Sequence, residues 1–313
     1  MKVMDDRTSP PADPLSPQVV TFDAVMPAAL AARAEDAGVR RAAMDPWDIL
    51  VLSVLGGAFV AFGAVFATTV SAGSIVISSA DGATQLAAGL PFGIVRLLVG
   101  LVFCVGLILV IVGGAELFTG NTLIVMAWAS GKIKTRDILH NWVLAFAGNF
   151  IGSIGAAGLM FFTTQYTFGG GSVGLVALTT ADSKAALAFG PALALGIMCN
   201  ALVCLAVWMC YGARTTIDRV VTIVPPITAF AAAGFEHCVA NMYFIPMGLF
   251  IKAGASDSFW KSIGKTPSDF AALTWDNFLF GNLVPVTIGN IIGGSLMVGA
   301  VYWFVYLRRK PPA

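Results

Sequence analysis

The chain has 313 residues, 58% of them hydrophobic and 11% charged, with a mean hydropathy of +0.85. Soluble domains carry about 25% charged residues, so water alone is the wrong solvent for this surface. The formal net charge of +1 excludes a polyelectrolyte partner such as nucleic acid.

In chain order, MKVMDDRTSPPADPLSPQVV contains no apolar stretch and mixes both charges. It is expected not to be a signal peptide, and residues 1–20 are expected to form a disordered, Pro-rich cytoplasmic tail. Residues 21–46 place Arg33, Glu35, Asp36, Arg40 and Arg41 among many alanines, which predicts a helix on the cytoplasmic surface. A plain solvated helix has the same pattern. Residues 47–309 carry the membrane domain. A crossing needs about 20 apolar residues, and Ile49 to Val70, Leu139 to Phe162, Ala185 to Cys210 and Phe278 to Leu307 each supply them. Two longer stretches, Pro91 to Ser130 and Ile217 to Ile251, are interrupted by Glu116-Leu-Phe-Thr-Gly-Asn121 and Glu236-His-Cys-Val-Ala-Asn241. The apolar remainder after each interruption is too short to cross alone, so each stretch counts as one broken helix. The expected fold is an all-α membrane protein with six transmembrane helices, the second and fifth broken.

Lysine and arginine set the orientation. One side holds Lys2, Arg7, Arg33, Arg40, Arg41, Lys132, Lys134, Arg136, Arg214, Arg219, Arg308, Arg309 and Lys310, and the other holds Arg96, Lys184, Lys252, Lys261 and Lys265. This excess predicts that both termini are cytoplasmic. Trp47, Trp128, Trp142, Trp208 and Trp303 fall near the same predicted ends, where indole prefers the headgroup layer.

The halves repeat. Asn141-Trp-Val-Leu-Ala-Phe-Ala-Gly148-Asn149-Phe-Ile-Gly152 aligns with Asn282-Leu-Val-Pro-Val-Thr-Ile-Gly289-Asn290-Ile-Ile-Gly293. Both interruptions begin with Glu and reach Asn five residues later. Three spans followed by three more make the second half inverted, with repeats at about 47–163 and 184–309. Inverted repeats with paired broken helices mark a transport site near the midplane. A half-helix aims its unpaired N–H groups and positive dipole end at that site, which attracts anions. The glycines at 148, 152, 289, 293 and 294 let helices approach closely.

The five cysteines lie in apolar segments without a CxxC spacing, so neither a disulfide framework nor a metal site is expected. Of the two histidines, His140 precedes Trp142 at a membrane boundary and His237 lies inside an interruption. An ionisable residue inside a span points to function. Glu116 and Glu236 read instead as acceptors for unpaired N–H groups at the breaks.

AELFTGNT (115–122), TADSK (180–184), MCNALVCLAVWM (198–209), GFEHCVANMYFIPMG (234–248) and NLVPVTIGNIIGG (282–294) resemble the formate–nitrite transporter family, and within it the formate channels. The resemblance covers about residues 20–309 and implies a homopentamer of self-contained, aquaporin-like pores in the bacterial inner membrane. It implies no enzymatic activity and no cofactor. Its partners would be a small anion, formate or nitrite, together with protons. By position, Thr119 and His237 would face each other at the pore centre. Phe103, Leu107, Leu117, Phe118, Val203 and Phe230 would form apolar constrictions. Asn200, Asn241 and Asn290 would surround the histidine beside Glu236, and Lys184 would draw anions into a vestibule. Formate channels often carry Ser and Thr where this chain has Gly120 and Asn121, which leaves nitrite open. Cys238 stands where serine is common.

A bare carboxylate in an apolar constriction costs on the order of 20 kcal/mol by the Born relation. Protonating an acid of pKa around 4 at pH 7 costs roughly 4 kcal/mol. An apolar pore therefore favours the neutral acid, with His237 placed to supply the proton; passage of the bare anion is the alternative. Two classes compete. A haem-bearing redox subunit needs histidine ligands at matched depth, and His140 and His237 lie at different depths. A sodium-coupled transporter also uses inverted repeats, and its flux would follow sodium. Formate, nitrite, acetate, lactate and hydrosulfide all remain candidate substrates.

Overall fold

The computed structural model describes residues 24–73, 75–78 and 85–309; the tail expected over residues 1–20 lies outside them. The helices among these residues are numbered α1 to α11. The first, α1 (Pro27–Ala42), starts with a proline that presets φ and ends with Arg40 and Arg41 in its last turn, where positive charge suits the helix dipole. Its small face packs closely: a Cβ on Gly38 would sit 3.0 Å from that of Ala127. Asp45 then accepts from the Trp47 N–H at 2.8 Å to cap α2 (Pro46–Ser71).

The remaining helices are α3 (Phe92–Gly113), α4 (Phe118–Ala129), α5 (Thr135–Phe162), α6 (Ser172–Ala185), α7 (Phe189–Cys210), α8 (Thr216–Ala233), α9 (Cys238–Gly254), α10 (Asp257–Ile263) and α11 (Asn277–Tyr306). Six of them, α2, α3, α5, α7, α8 and α11, are long and apolar enough to cross a bilayer. α2 packs along α5 and α7 along α11, while α3 and α8 pair between the halves. Glycine permits the two close packings: a Cβ on Gly152 would overlap the Val54 carbonyl, and one on Gly293 the Ile197 carbonyl.

Polarity runs inside out relative to a soluble protein. Phe62, Phe66, Leu139, Val143, Ile151, Leu159, Phe280 and Leu296 are exposed, whereas Asn141, Asn149, Asn200, Asn241, Asn282 and Asn290 are fully buried. A contiguous apolar exterior with amides inside is a multi-pass membrane protein.

Several sequence expectations change. The unwound segments are residues 114–117 and 234–237, earlier than the interruptions read from polarity, so Thr119 and Asn121 already lie in the first turn of α4. Glycine decides this: α3 stops at Gly114 with φ 77° and α8 at Gly234 with φ 80°, the left-handed stop that other residues rarely adopt. Ala185 ends α6 rather than opening a span. Trp208 is buried and stacks on Tyr302 with ring centroids 4.1 Å apart, so only some of the indoles lie at the surface. Two short strands, β1 (Ile75–Ser78) and β2 (Gln85–Ala88), pair antiparallel between α2 and α3. They add one small hairpin to a helical fold, and the β-branched run Ile-Val-Ile accounts for the first.

Candidate functional site

Each unwound segment is held by one buried asparagine acting on three backbone groups. Asn149 Oδ1 accepts from Phe118 N at 2.9 Å, while its Nδ2 donates to Ser53 O and Glu116 O at 2.7 and 3.0 Å. Asn290 Oδ1 accepts from Cys238 N at 2.9 Å, while its Nδ2 donates to Gly196 O and Glu236 O at 2.8 and 3.0 Å. Backbone unwound in an apolar interior must find such partners, and these amides are in place because Gly148-Asn149 and Gly289-Asn290 share one register.

A second set repeats one turn away. Asn121 Nδ2 donates to Glu116 Oε2 and Asn141 Oδ1 at 2.7 and 2.9 Å; Asn241 Nδ2 donates to Glu236 Oε2 and Asn282 Oδ1, both at 2.7 Å. Asn141 Nδ2 then reaches Arg41 O at 3.2 Å, and Asn282 Nδ2 reaches Lys184 O at 2.9 Å. The cations on those two residues meet the paired glutamates: Arg41 Nε lies 3.3 Å from Glu116 Oε1, and Lys184 Nζ 2.6 Å from Glu236 Oε1. Arg41 thus stands to the first half as Lys184 stands to the second. Sequence reasoning left Arg41 among surface charges, because α1 and α6 share no evident motif. Only the matched asparagines at 141 and 282 hint at it.

The chemistry at the centre is not repeated. Thr119, fully buried, places its Oγ1 2.9 Å from Nε2 of His237, which is 4% exposed. His237 also caps α9, its Nδ1 accepting from Ala240 N at 3.1 Å. With Nδ1 occupied as an acceptor, the neutral ring carries its proton on Nε2 and donates it to Thr119 Oγ1. The Thr119 hydroxyl hydrogen then remains free to donate elsewhere. Asn200 Nδ2 steadies this turn by donating to Thr119 O, Thr122 Oγ1 and Asn290 O at 3.2, 3.1 and 2.6 Å.

His237, Phe103 and Phe230 line two cavities in common. In the smaller, Phe103, Leu107, Leu117, Val203 and Phe230, with Val60 and Ile227, enclose a chamber of about 10 Å³, scarcely room for one water. Phe118 is not among its lining residues; its ring packs edge-on against Trp142 and Phe146 at 6.1 and 5.2 Å. The larger, a cavity of about 600 Å³, is lined by Arg96, Lys184, Glu236, Phe230, Phe244 and His237 among others. Lys184 also lies 5.6 Å from the centroid of the Phe244 ring. Among the described residues no group of three or more His, Cys, Asp or Glu side chains is placed to hold a metal ion.

Residues 28–304 match the protein family described as Formate/nitrite transporter. The chain is 43% identical over 289 residues to the formate channel FocA of Escherichia coli K12, covering 92% of this chain and 97% of that one. It is 38% identical over 266 residues to FocA of Haemophilus influenzae, covering 85% and 89%. Among solved structures, a pentameric formate channel with formate bound matches with a TM-score of 0.75 at 41% identity, covering 84% of this chain and 98% of that one. An FNT family ion channel matches with a TM-score of 0.68 at 27% identity, covering 88% and 98%.

Proposed function

The chain belongs to the formate/nitrite transporter family, and we propose that it is a pentameric channel for formate, each protomer enclosing its own pore. Two inverted three-helix repeats build that pore, α3 with α4 and α8 with α9 being its broken helices. Both termini are cytoplasmic by the distribution of lysine and arginine, which puts α1 on the cytoplasmic face and the large cavity on the other.

One observation carries the reading: the Thr119–His237 hydrogen bond holds a histidine that lines both the large cavity with Lys184 and Arg96 and the small apolar chamber. Formate enters beside Lys184 and accepts from the free Thr119 hydroxyl. Going further as an anion meets the desolvation cost of the chamber; going further as formic acid requires a proton. His237 cannot give one from its resting form, because loss of the Nε2 proton would leave an imidazolate. It must first be charged at Nδ1, which displaces the Ala240 N–H from that nitrogen. Proton delivery and the cap of α9 are therefore coupled, and His237 acts as a hydrogen-bond donor until that cap opens.

The departure at Gly120 and Asn121 carries no weight toward nitrite. Asn121 is engaged by Glu116 and Asn141, as Asn241 is by its own partners. In proteoliposomes, formate flux is expected to exceed nitrite flux at pH 5 and pH 7.5 and to rise toward the lower pH. His237→Asn keeps a capping side chain but no titratable ring, so it is expected to flatten that pH profile. An unaltered profile in this variant overturns the proton route and leaves passage of the bare anion. Nitrite flux above formate flux overturns the choice of substrate.

A further inference from the structure

Lys184 is an incomplete answer to how anions collect in the large cavity. Its ammonium lies 2.6 Å from Glu236, whose side chain is only 4% exposed, so the pair presents little net charge. Arg96, from the second turn of α3, lines the same cavity. Its Nε donates to Ala232 O at 2.8 Å and its Nη2 to Ala231 O at 2.7 Å, both at the C-terminal end of α8. Among the described residues no carboxylate lies within ion-pair distance of Arg96, and no acceptor is bonded to its Nη1. The guanidinium rests on Gly234, where a Cβ would approach Nη2 to 2.8 Å. The left-handed glycine that ends α8 thus also makes room for this cation. Carbonyls at a helix end offset about half an elementary charge, which leaves the balance on the cavity side. Thr68, Ser71, Thr179, Thr180 and Ser183 add hydroxyls to the wall, and among the described lining residues Glu236 is the one acid. At the matching glycine that ends α3 no such cation is seen among the described residues: a Cβ on Gly114 would meet no atom within 4 Å.

We propose that Arg96 is the anion-capture group of this vestibule, holding small carboxylates and other monovalent oxyanions at its Nη1 face before they reach the Lys184–Glu236 pair. The inference rests on the transport reading above and deepens it. Capture by an unpaired charge raises the local anion concentration without altering the constriction.

The test is the concentration dependence of formate flux in proteoliposomes at two ionic strengths, for wild type, Arg96→Gln, Arg96→Lys and Lys261→Gln. Glutamine can still donate to one α8 carbonyl, while lysine keeps the charge but loses the two-pronged cap. Arg96→Gln is expected to raise the half-saturating formate concentration roughly threefold to tenfold, to leave maximal flux within about twofold, and to weaken the salt dependence. Arg96→Lys is expected to stay near wild type. Lys261→Gln removes an exposed cation outside the cavity and is expected to change nothing. Equal half-saturation in Arg96→Gln and wild type overturns the assignment while transport survives. So does an equal rise in Arg96→Gln and Arg96→Lys, which marks a purely structural cap, or an equal rise in Lys261→Gln, which marks a general surface field. A wild type that moves no formate defeats the transport reading and this inference with it.

Discussion

The segment from Glu116 to Asn121 and the segment from Glu236 to Asn241 have the same skeleton and different chemistry. In both, the glutamate takes an N–H from the asparagine five residues on, a distant asparagine holds the unwound backbone, and a cation closes the outer end. The residue after the glutamate is Leu117 in one and His237 in the other; the third is Thr119 in one and Val239 in the other. A duplicated scaffold thus fixes where two chain breaks meet, and two unmatched positions make the meeting point polar on one side only. Symmetry supplies the place, and its violation supplies the Thr119–His237 pair.

The heaviest blow to this comparison is aimed at the shared skeleton. Asn149→Leu and Asn290→Leu each strand three buried backbone groups, at a cost of about 3–5 kcal/mol. Both are expected to lower the thermal midpoint of the purified protein by similar amounts; a tolerant site in one half and a collapsed one in the other would break the equivalence. Next come the unmatched positions. Thr119→Ala removes the hydroxyl bonded to His237 Nε2, the group proposed to meet formate, and is expected to lower flux at limiting formate roughly tenfold or more. Val239→Ala removes only methyl groups and is expected to leave flux near wild type, so comparable losses would sink the distinction. A smaller effect separates the outer pairs. Glu236→Gln is expected to destabilise by about 1–3 kcal/mol and Glu116→Gln by less, since the Lys184 pair is closer than the Arg41 pair, 2.6 against 3.3 Å, and its acid is more deeply buried. Denaturation of the two variants under one condition ranks them.

The smallest effect concerns how the matched helices α5 and α11 are entered. Asp137 accepts from Lys134 N at 2.8 Å within the first turn of α5. Before α11 the same contact sits in a separate turn, where Asp269 accepts from Thr266 N at 2.7 Å and from its hydroxyl at 3.1 Å. The Thr266 N–H, with that hydroxyl, holds the Asp269 carboxyl below the usual carboxylate range. The stabilisation is present above about pH 4 and fades as pH falls through the folded-state value. Asp269→Ala is therefore expected to lower the thermal midpoint by about 2 °C or less at neutral pH, and by still less near pH 3. A loss that is the same at both pH values would remove the charge from this account.

Much of the fold was legible because a bilayer imposes strict lengths. Apolar runs such as Ile49 to Val70 and Leu139 to Phe162 fall on α2 and α5 with ends shifted by only a few residues. The asparagine–glycine spacing of the repeat was equally legible. The break positions were displaced, since polarity marks Glu116 and Glu236 while left-handed backbone at Gly114 and Gly234 ends the helix. α6 and α10 went unread because they lie outside the spans, where hydropathy gives no length constraint. Of the candidate site, His237 and Glu236 stood out as ionisable residues in apolar surroundings, and Thr119 entered only through its place in the motif of the resembled family. Arg41 and Arg96 did not, for each resembles the surface cations beside it until its partner is known.

The order of residues alone marked six helices long and apolar enough to cross a bilayer and the matched asparagine and glycine spacing of the two halves, because hydropathy and spacing are local quantities that a membrane reads directly. Only the tertiary structure decided that His237 meets Thr119 across 118 positions of chain, that Lys184 pairs with Glu236, and that Arg96 meets helix-end carbonyls and, among the described residues, no carboxylate. Those are distances between separate helices, set by which glycines let backbones touch, and no one-dimensional pattern encodes them.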